Sequence, residues 1–97
     1  MKTIELKFAN PHNPALGGVE LGKETYDQQV LPMIDDRVLE GELTIRFPDN
    51  IVIIGNSFVK GFSADLIDKI GIDGVRERVH FVTSRKKLTR EMYDGLL

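Results

Sequence analysis

The chain has 97 residues, a formal charge of −2 and no cysteine, which leaves room for one modest core and excludes a disulfide framework and thiolate chemistry. Its apolar fraction of 41% and charged fraction of 29% are those of a folded globular protein, and no apolar run nears the roughly 18 residues a membrane span needs. The slightly acidic balance argues against direct nucleic-acid binding. Met1-Lys2-Thr3-Ile4-Glu5 lacks the apolar core of a signal peptide, so a single cytoplasmic domain over residues 1–97 is expected.

Residues 2–8 alternate polar and apolar, with Ile4, Leu6 and Phe8 on one face of a half-buried strand. Asn10-Pro11-His12-Asn13-Pro14 is a turn cluster, because each proline fixes its own φ and drives its predecessor out of the helical region. The loop continues through Gly17-Gly18, and Val19-Glu20-Leu21 is compatible with a short strand. Residues 23–38 carry Tyr26, Val30, Met33 and Ile34 at helical spacing. Pro32 removes a hydrogen bond there and clashes with the preceding turn, so a kink or two shorter pieces is expected.

Gly41 ends that segment. Leu43-Thr44-Ile45-Arg46-Phe47 reads as a strand stopped by Pro48-Asp49-Asn50, and the apolar run Ile51-Val52-Ile53-Ile54 reads as a short buried stretch. From Asn56 or Ser57 to Ile70 the pattern predicts a helix with Phe58, Val59, Phe62, Leu66, Ile67 and Ile70 as its apolar stripe and Gly71 as its C-cap. Gly61 inside that helix costs about 1 kcal/mol relative to alanine, which suggests close packing against a neighbour. Residues 75–78 suit a helical turn, Val79-His80-Phe81-Val82 a strand, and residues 89–96 a final helix with Met92 and Leu96 inward. The alternation of strands and helices predicts an α/β fold, a small mixed sheet of about four strands covered by three helices, with parallel neighbours joined by right-handed crossovers.

The chemistry-bearing residues are few. His12 and His80 are the only histidines, and neither has a partner at metal-ligand spacing, so no metal and no cofactor is expected. Ser57 lacks the flanking glycines of a nucleophile elbow and stands where a helix begins, as a cap or first-turn residue. A phosphate on it would face the positive end of the helix. Asp35 and Asp36 are adjacent, which makes a poor acid–base pair. Arg85, Lys86, Lys87 and Arg90 form a basic cluster suited to a solvated helix start or to holding a phosphate group. No catalytic set results, and an enzyme is not expected.

Charge is unevenly spread. Residues 1–50 carry nine acidic and five basic side chains, and residues 51–97 carry six and eight. The acidic excess includes Asp27, Asp35, Asp36, Glu40 and Glu42, which read either as solvated helix faces or as a surface for a basic partner.

The stretch LTIRFPDNIVIIGNSFVKGFSADLIDKIG, followed by VRERVHFVTSRKKLTREMYDGL, resembles the STAS-like family, small domains related to anti-sigma-factor antagonists. Members read as a strand ending in Asp-Phe, a short apolar stretch, a Ser-Phe opening a helix, a strand and a final helix. Ser57-Phe58 matches the Ser-Phe, while Arg46-Phe47 stands where the family has Asp-Phe. The resemblance covers residues 43–96 and implies a regulatory module acting by protein–protein contacts, switched by phosphorylation at Ser57.

Over the whole chain, the length, the missing catalytic set and the acidic N-terminal half also resemble phage-encoded type I-F anti-CRISPR proteins. That resemblance implies a non-enzymatic inhibitor whose acidic surface, around Asp27, Asp35, Asp36, Glu40 and Glu42, imitates DNA. Its partner would be the basic nucleic-acid-binding site of a CRISPR surveillance complex.

Overall fold

The computed structural model describes residues 1–10 and 12–96; Pro11 of the proline turn and Leu97 lie outside them. Strand β1 (Lys2–Glu5) is followed by β2 (Ala15–Leu16), helix α1 (Val19–Thr25), a π turn (Tyr26–Val30) and a 3-10 turn (Leu31–Met33). Helix α2 (Asp36–Glu40), β3 (Leu43–Arg46), β4 (Ile53–Ile54), α3 (Asn56–Arg78), β5 (Val79–Val82) and α4 (Lys86–Asp94) complete the order. The fold is α/β, but the sheets are parallel rather than mixed. The larger has the order β1-β3-β5, and β2 pairs with β4 beside it. Each strand of the larger sheet reaches the next through helical connections, which is the length a parallel crossover needs.

Alternation along the three main strands puts Ile4, Leu43, Ile45, Val79 and Phe81 into the core and leaves Glu5, Arg46 and Val82 on the opposite face. The helical layer therefore covers one side of the sheet. Parallel sheets are usually covered on both. Here the open side is polar and its charges pair: Arg46 lies 3.7 Å from Glu5, and His80 Nε2 lies 3.4 Å from Glu42. Both sheet edges carry side-chain plugs. The Gln29 amide accepts from the Lys7 N–H at 2.8 Å and donates to the Lys7 carbonyl at 2.7 Å. Across the sheet the Tyr93 hydroxyl accepts from the Phe81 N–H at 3.0 Å and donates to the Val79 carbonyl at 2.6 Å. Such contacts use up peptide groups that would otherwise template another strand.

The core centres on α3, where Phe58, Phe62 and Leu66 are fully buried. Phe58 and Phe62 stack at 5.6 Å, and Phe47, Tyr26 and Phe81 meet them edge-on or tilted. Gly71, at φ 75°, breaks α3 where the C-cap glycine is expected, and a second helical stretch runs on to Arg78. The close neighbour anticipated at Gly61 is α1. A Cβ on Gly61 would strike the Val19 carbonyl, and one on Gly22 would strike the Phe58 carbonyl. The two helices cross backbone to backbone.

Four further expectations need correction, the first at Ile53, which is 58% exposed although the apolar run 51–54 reads as buried. Val19-Glu20-Leu21 opens a helix rather than a strand. Gly18, at φ 91°, turns the chain there, and Val19 and Leu21 are exposed, so their apolar character does not mark a buried strand. The helix expected over 23–38 is α1, two irregular turns and α2, with Ile34 extended between them. Widening to a π turn before Pro32 moves aside the carbonyl its ring would meet. Met33 consequently leaves the apolar stripe and is exposed, while Tyr26 and Val30 stay buried. The last helix begins at Lys86, three residues earlier than the pattern suggested, and Leu88 joins Met92 and Leu96 inside.

Candidate functional site

Residues 51–58 set the local geometry. Ile51 is buried and its carbonyl accepts from the Ser84 hydroxyl at 2.9 Å. Ile53 and Ile54 pair with Ala15 and Leu16, and the Gly55 N–H bonds the Leu16 carbonyl at 2.8 Å. Gly55 is the N-cap residue of α3, and its carbonyl accepts from Val59 N–H at 3.2 Å. Ser57 therefore lies inside the first turn rather than at the cap. It is exposed, and among the described residues its hydroxyl makes no hydrogen bond, while its neighbour Phe58 is buried in the aromatic core. The Ser-Phe pair thus divides its two side chains between solvent and core.

The acidic residues fall on two surfaces. Asp35 is the N-cap of α2 and accepts from the Val38 N–H at 2.9 Å. Asp36 and Glu40, on the same short helix, are exposed and in no ion pair among the described residues. Glu42 stands just before β3, against His80. Asp27 belongs elsewhere: it lies on the π turn, 3.1 Å from Lys23, in a shallow depression with Glu20 and Glu24. Four of the five acids are thus brought to one end of the molecule, and Asp27 sits on the α1 surface.

A cleft of about 510 Å³ opens beyond the carboxyl ends of β1 and β3 and is lined by Lys7, Phe8, Arg46, Phe47, Asp49 and Ile51 among others. Ligands of open α/β sheets bind at strand carboxyl ends. The lining here balances two cations against Glu5 and Asp49 and contains no serine, threonine, histidine or cysteine.

One polar link between helices went unforeseen. The buried Tyr26 hydroxyl donates to Asp65 at 2.5 Å, and Lys69 lies 3.2 Å from the same carboxylate. Burial and the neighbouring Asp65 push the Tyr26 phenol well above its ordinary range, so it remains a neutral donor. The Tyr26 hydrogen bond in turn holds the Asp65 carboxyl below the usual carboxylate range. The two residues are 39 positions apart, and no local pattern links them. Among the described residues no group of three or more His, Cys, Asp or Glu could hold a metal. Among the described residues no helix is long and apolar enough to cross a membrane.

Comparison with protein-family models, with curated proteins and with solved structures gives no match.

Proposed function

We propose that this chain is a non-enzymatic, protein-binding regulatory module with a STAS-like core, and that Ser57 is its point of control. The observation that carries the reading is the exposed, unbonded Ser57 hydroxyl in the first turn of the helix at the centre of the core. Elements β3, β4, α3, β5 and α4 also follow one another in the order that the resemblance implies. A phosphate at Ser57 would sit near the free N–H groups of the first turn and change the surface without disturbing Phe58. The reading is tested by phosphopeptide mapping of the protein isolated from its own cells, combined with partner capture by Ser57→Ala and Ser57→Asp. Phosphate at Ser57, with capture altered by Ser57→Asp and kept by Ser57→Ala, is the expected outcome. An unmodified Ser57 and two variants that both capture like the parent would remove the reading.

A second reading rests on a separate observation, the exposed Asp36 and Glu40, which make no ion pair among the described residues. They support an inhibitor of the anti-CRISPR kind, which lays carboxylates over the basic DNA-binding site of a surveillance complex. Asp36→Lys with Glu40→Lys should then abolish capture of that complex, and capture that survives the reversal sinks this reading.

A further inference from the structure

The two edges of the main sheet are closed to different degrees. In β1 the N–H groups of Lys2 and Leu6 bond to the carbonyls of Glu42 and Arg46, at 3.1 and 2.9 Å, so the even-numbered residues turn their peptide groups toward β3. Thr3, Glu5 and Lys7 turn theirs outward. Gln29 takes both outward groups of Lys7. Among the described residues no hydrogen bond engages the N–H or the carbonyl of Thr3 or of Glu5, and both residues are exposed. On β5 the outward residues are Val79 and Phe81. The Tyr93 hydroxyl engages the Val79 carbonyl and the Phe81 N–H, and the Val79 N–H returns to the Val75 carbonyl. A strand joins an edge in antiparallel fashion by exchanging both groups of a residue. Neither outward residue of β5 keeps both groups free, whereas Thr3 and Glu5 do.

We propose that this free stretch of β1 pairs antiparallel with the same stretch of a second copy of the chain, across a twofold axis at Ile4. Each Thr3 then faces the other copy's Glu5 and exchanges both bonds with it, so every free outward group of β1 finds a partner. The side chains agree with that register. On the open face Thr3 lies opposite Glu5, whose charge is met by Arg46 of its own chain at 3.7 Å. On the helical face Ile4 lies opposite Ile4. Lys7, closed by Gln29, falls opposite Met1, which lies outside β1, so the plug ends the pairing without blocking it. Sliding to Glu5 against Glu5 would set like charges together and put the closed Lys7 against Thr3. A second copy fits better than an unrelated strand because one contact satisfies both edges at once. With neither outward residue of β5 open, assembly stops at a closed dimer that joins two three-stranded sheets. One short strand per copy is far below a standard protein interface, so the dimer is weak. Its bonds run from peptide to peptide, so salt changes it little. The inference does not depend on the Ser57 reading, and its test does not involve Ser57.

Sedimentation of the whole chain over a range of concentrations, joined with amide hydrogen exchange, tests it. The average mass should rise from monomer to dimer and no further, at low and high salt alike. The Thr3 and Glu5 amides should become protected as the dimer fills. Glu5→Pro removes an outward N–H that the fold itself does not use, so it should stay folded by circular dichroism and remain a monomer. Cross-linking needs no proline to be tolerated. The chain has no cysteine of its own. The register puts the Cα of Thr3 about 5.5 Å from that of the other copy's Glu5, within reach of a disulfide. A mixture of Thr3→Cys and Glu5→Cys should therefore cross-link to a dimer under mild oxidation, well beyond either variant alone. A wild type that stays monomeric at millimolar concentration overturns the proposal and leaves the edge to a strand of another protein. So do growth beyond the dimer, a dimer whose Thr3 and Glu5 amides stay unprotected, a folded Glu5→Pro that still dimerises, and a mixture that cross-links no more than its components.

Discussion

The two connections between neighbouring strands of the main sheet are built in opposite ways. From β3 to β5 the chain runs through β4 and α3, whose only departure from helical geometry is at Gly71. From β1 to β3 it passes through β2, α1, a π turn, a 3-10 turn, an extended residue and α2. Helix α3 lies in the core, with Phe58, Phe62 and Leu66 fully buried before the Gly71 break and Val75 after it, so packing holds both stretches. Helix α1 sits further out, with Val19 and Leu21 exposed. Its connection is held by Gly22 against Phe58, Val19 against Gly61, Tyr26 against Asp65 and Gln29 against Lys7, with Val30 buried. The stretch of α3 buried on one face keeps its period up to Gly71, whereas the connection holding Pro32 changes its winding twice.

The sharpest way to break this comparison is at the crossing. Gly61→Ala and Gly22→Ala each drive a methyl group into a backbone carbonyl of the other helix. Each should destabilise the protein by about 3 kcal/mol, seen in urea unfolding, because neither backbone can yield without shifting its helix. Equal stability in either variant would mean that the helices do not cross this closely.

Next in size is the polar link. Tyr26→Phe removes a buried donor to a carboxylate and should cost about 1.5 kcal/mol. It should also alter the pH dependence. The folded pKa of Asp65 is depressed, so its contribution to stability is present above the unfolded pKa and is lost as pH falls through the folded value. The Tyr26 pKa is raised, so its contribution is full below about 10, the ordinary tyrosine value, and declines as pH climbs above it. Tyr26→Phe should flatten both limbs in denaturation followed across pH, and unchanged limbs would show that the link carries no weight.

Smaller effects separate the two irregularities. Gly71→Ala forces a side chain into the left-handed region and should cost about 1 kcal/mol in thermal unfolding. Pro32 is exposed, and Pro32→Ala should change stability by less than about 0.5 kcal/mol while raising the helical signal in the far ultraviolet. If helicity stays constant, the π and 3-10 turns are imposed by the contacts of Tyr26 and Gln29 rather than by proline.

Much of this was legible locally. Strand β3, strand β5, the α3 stripe and the Gly71 stop follow from residue periodicity and one glycine, because burial on one face repeats at the period of the element. The break near Pro32 was also legible, since a missing N–H is a local fact. Its form was not, because neither the winding of residues 26–33 nor the partners of Tyr26 and Gln29 can be read from residues near in sequence. Val19-Glu20-Leu21 misled because exposed apolar residues look the same in sequence as buried ones. Among the site residues, Ser57 was recognisable as a helix-start serine. Its distance from the cap followed only once the pairing of β4 with β2 placed Gly55 at the N-cap.

By itself the sequence determined strands β3 and β5, the apolar stripe of α3 and its stop at Gly71, the lack of thiol chemistry and the uneven charge of its two halves. These are properties of composition and of short-range period. Tertiary structure decided that the sheets are parallel, that one sheet face is open, and that Tyr26 and Tyr93 fasten elements distant along the chain. It also decided that Asp27 stands apart from the acids of α2. Each of these depends on which segments become neighbours, and that is set by the shared burial of residues too far apart in sequence for any local pattern to relate them.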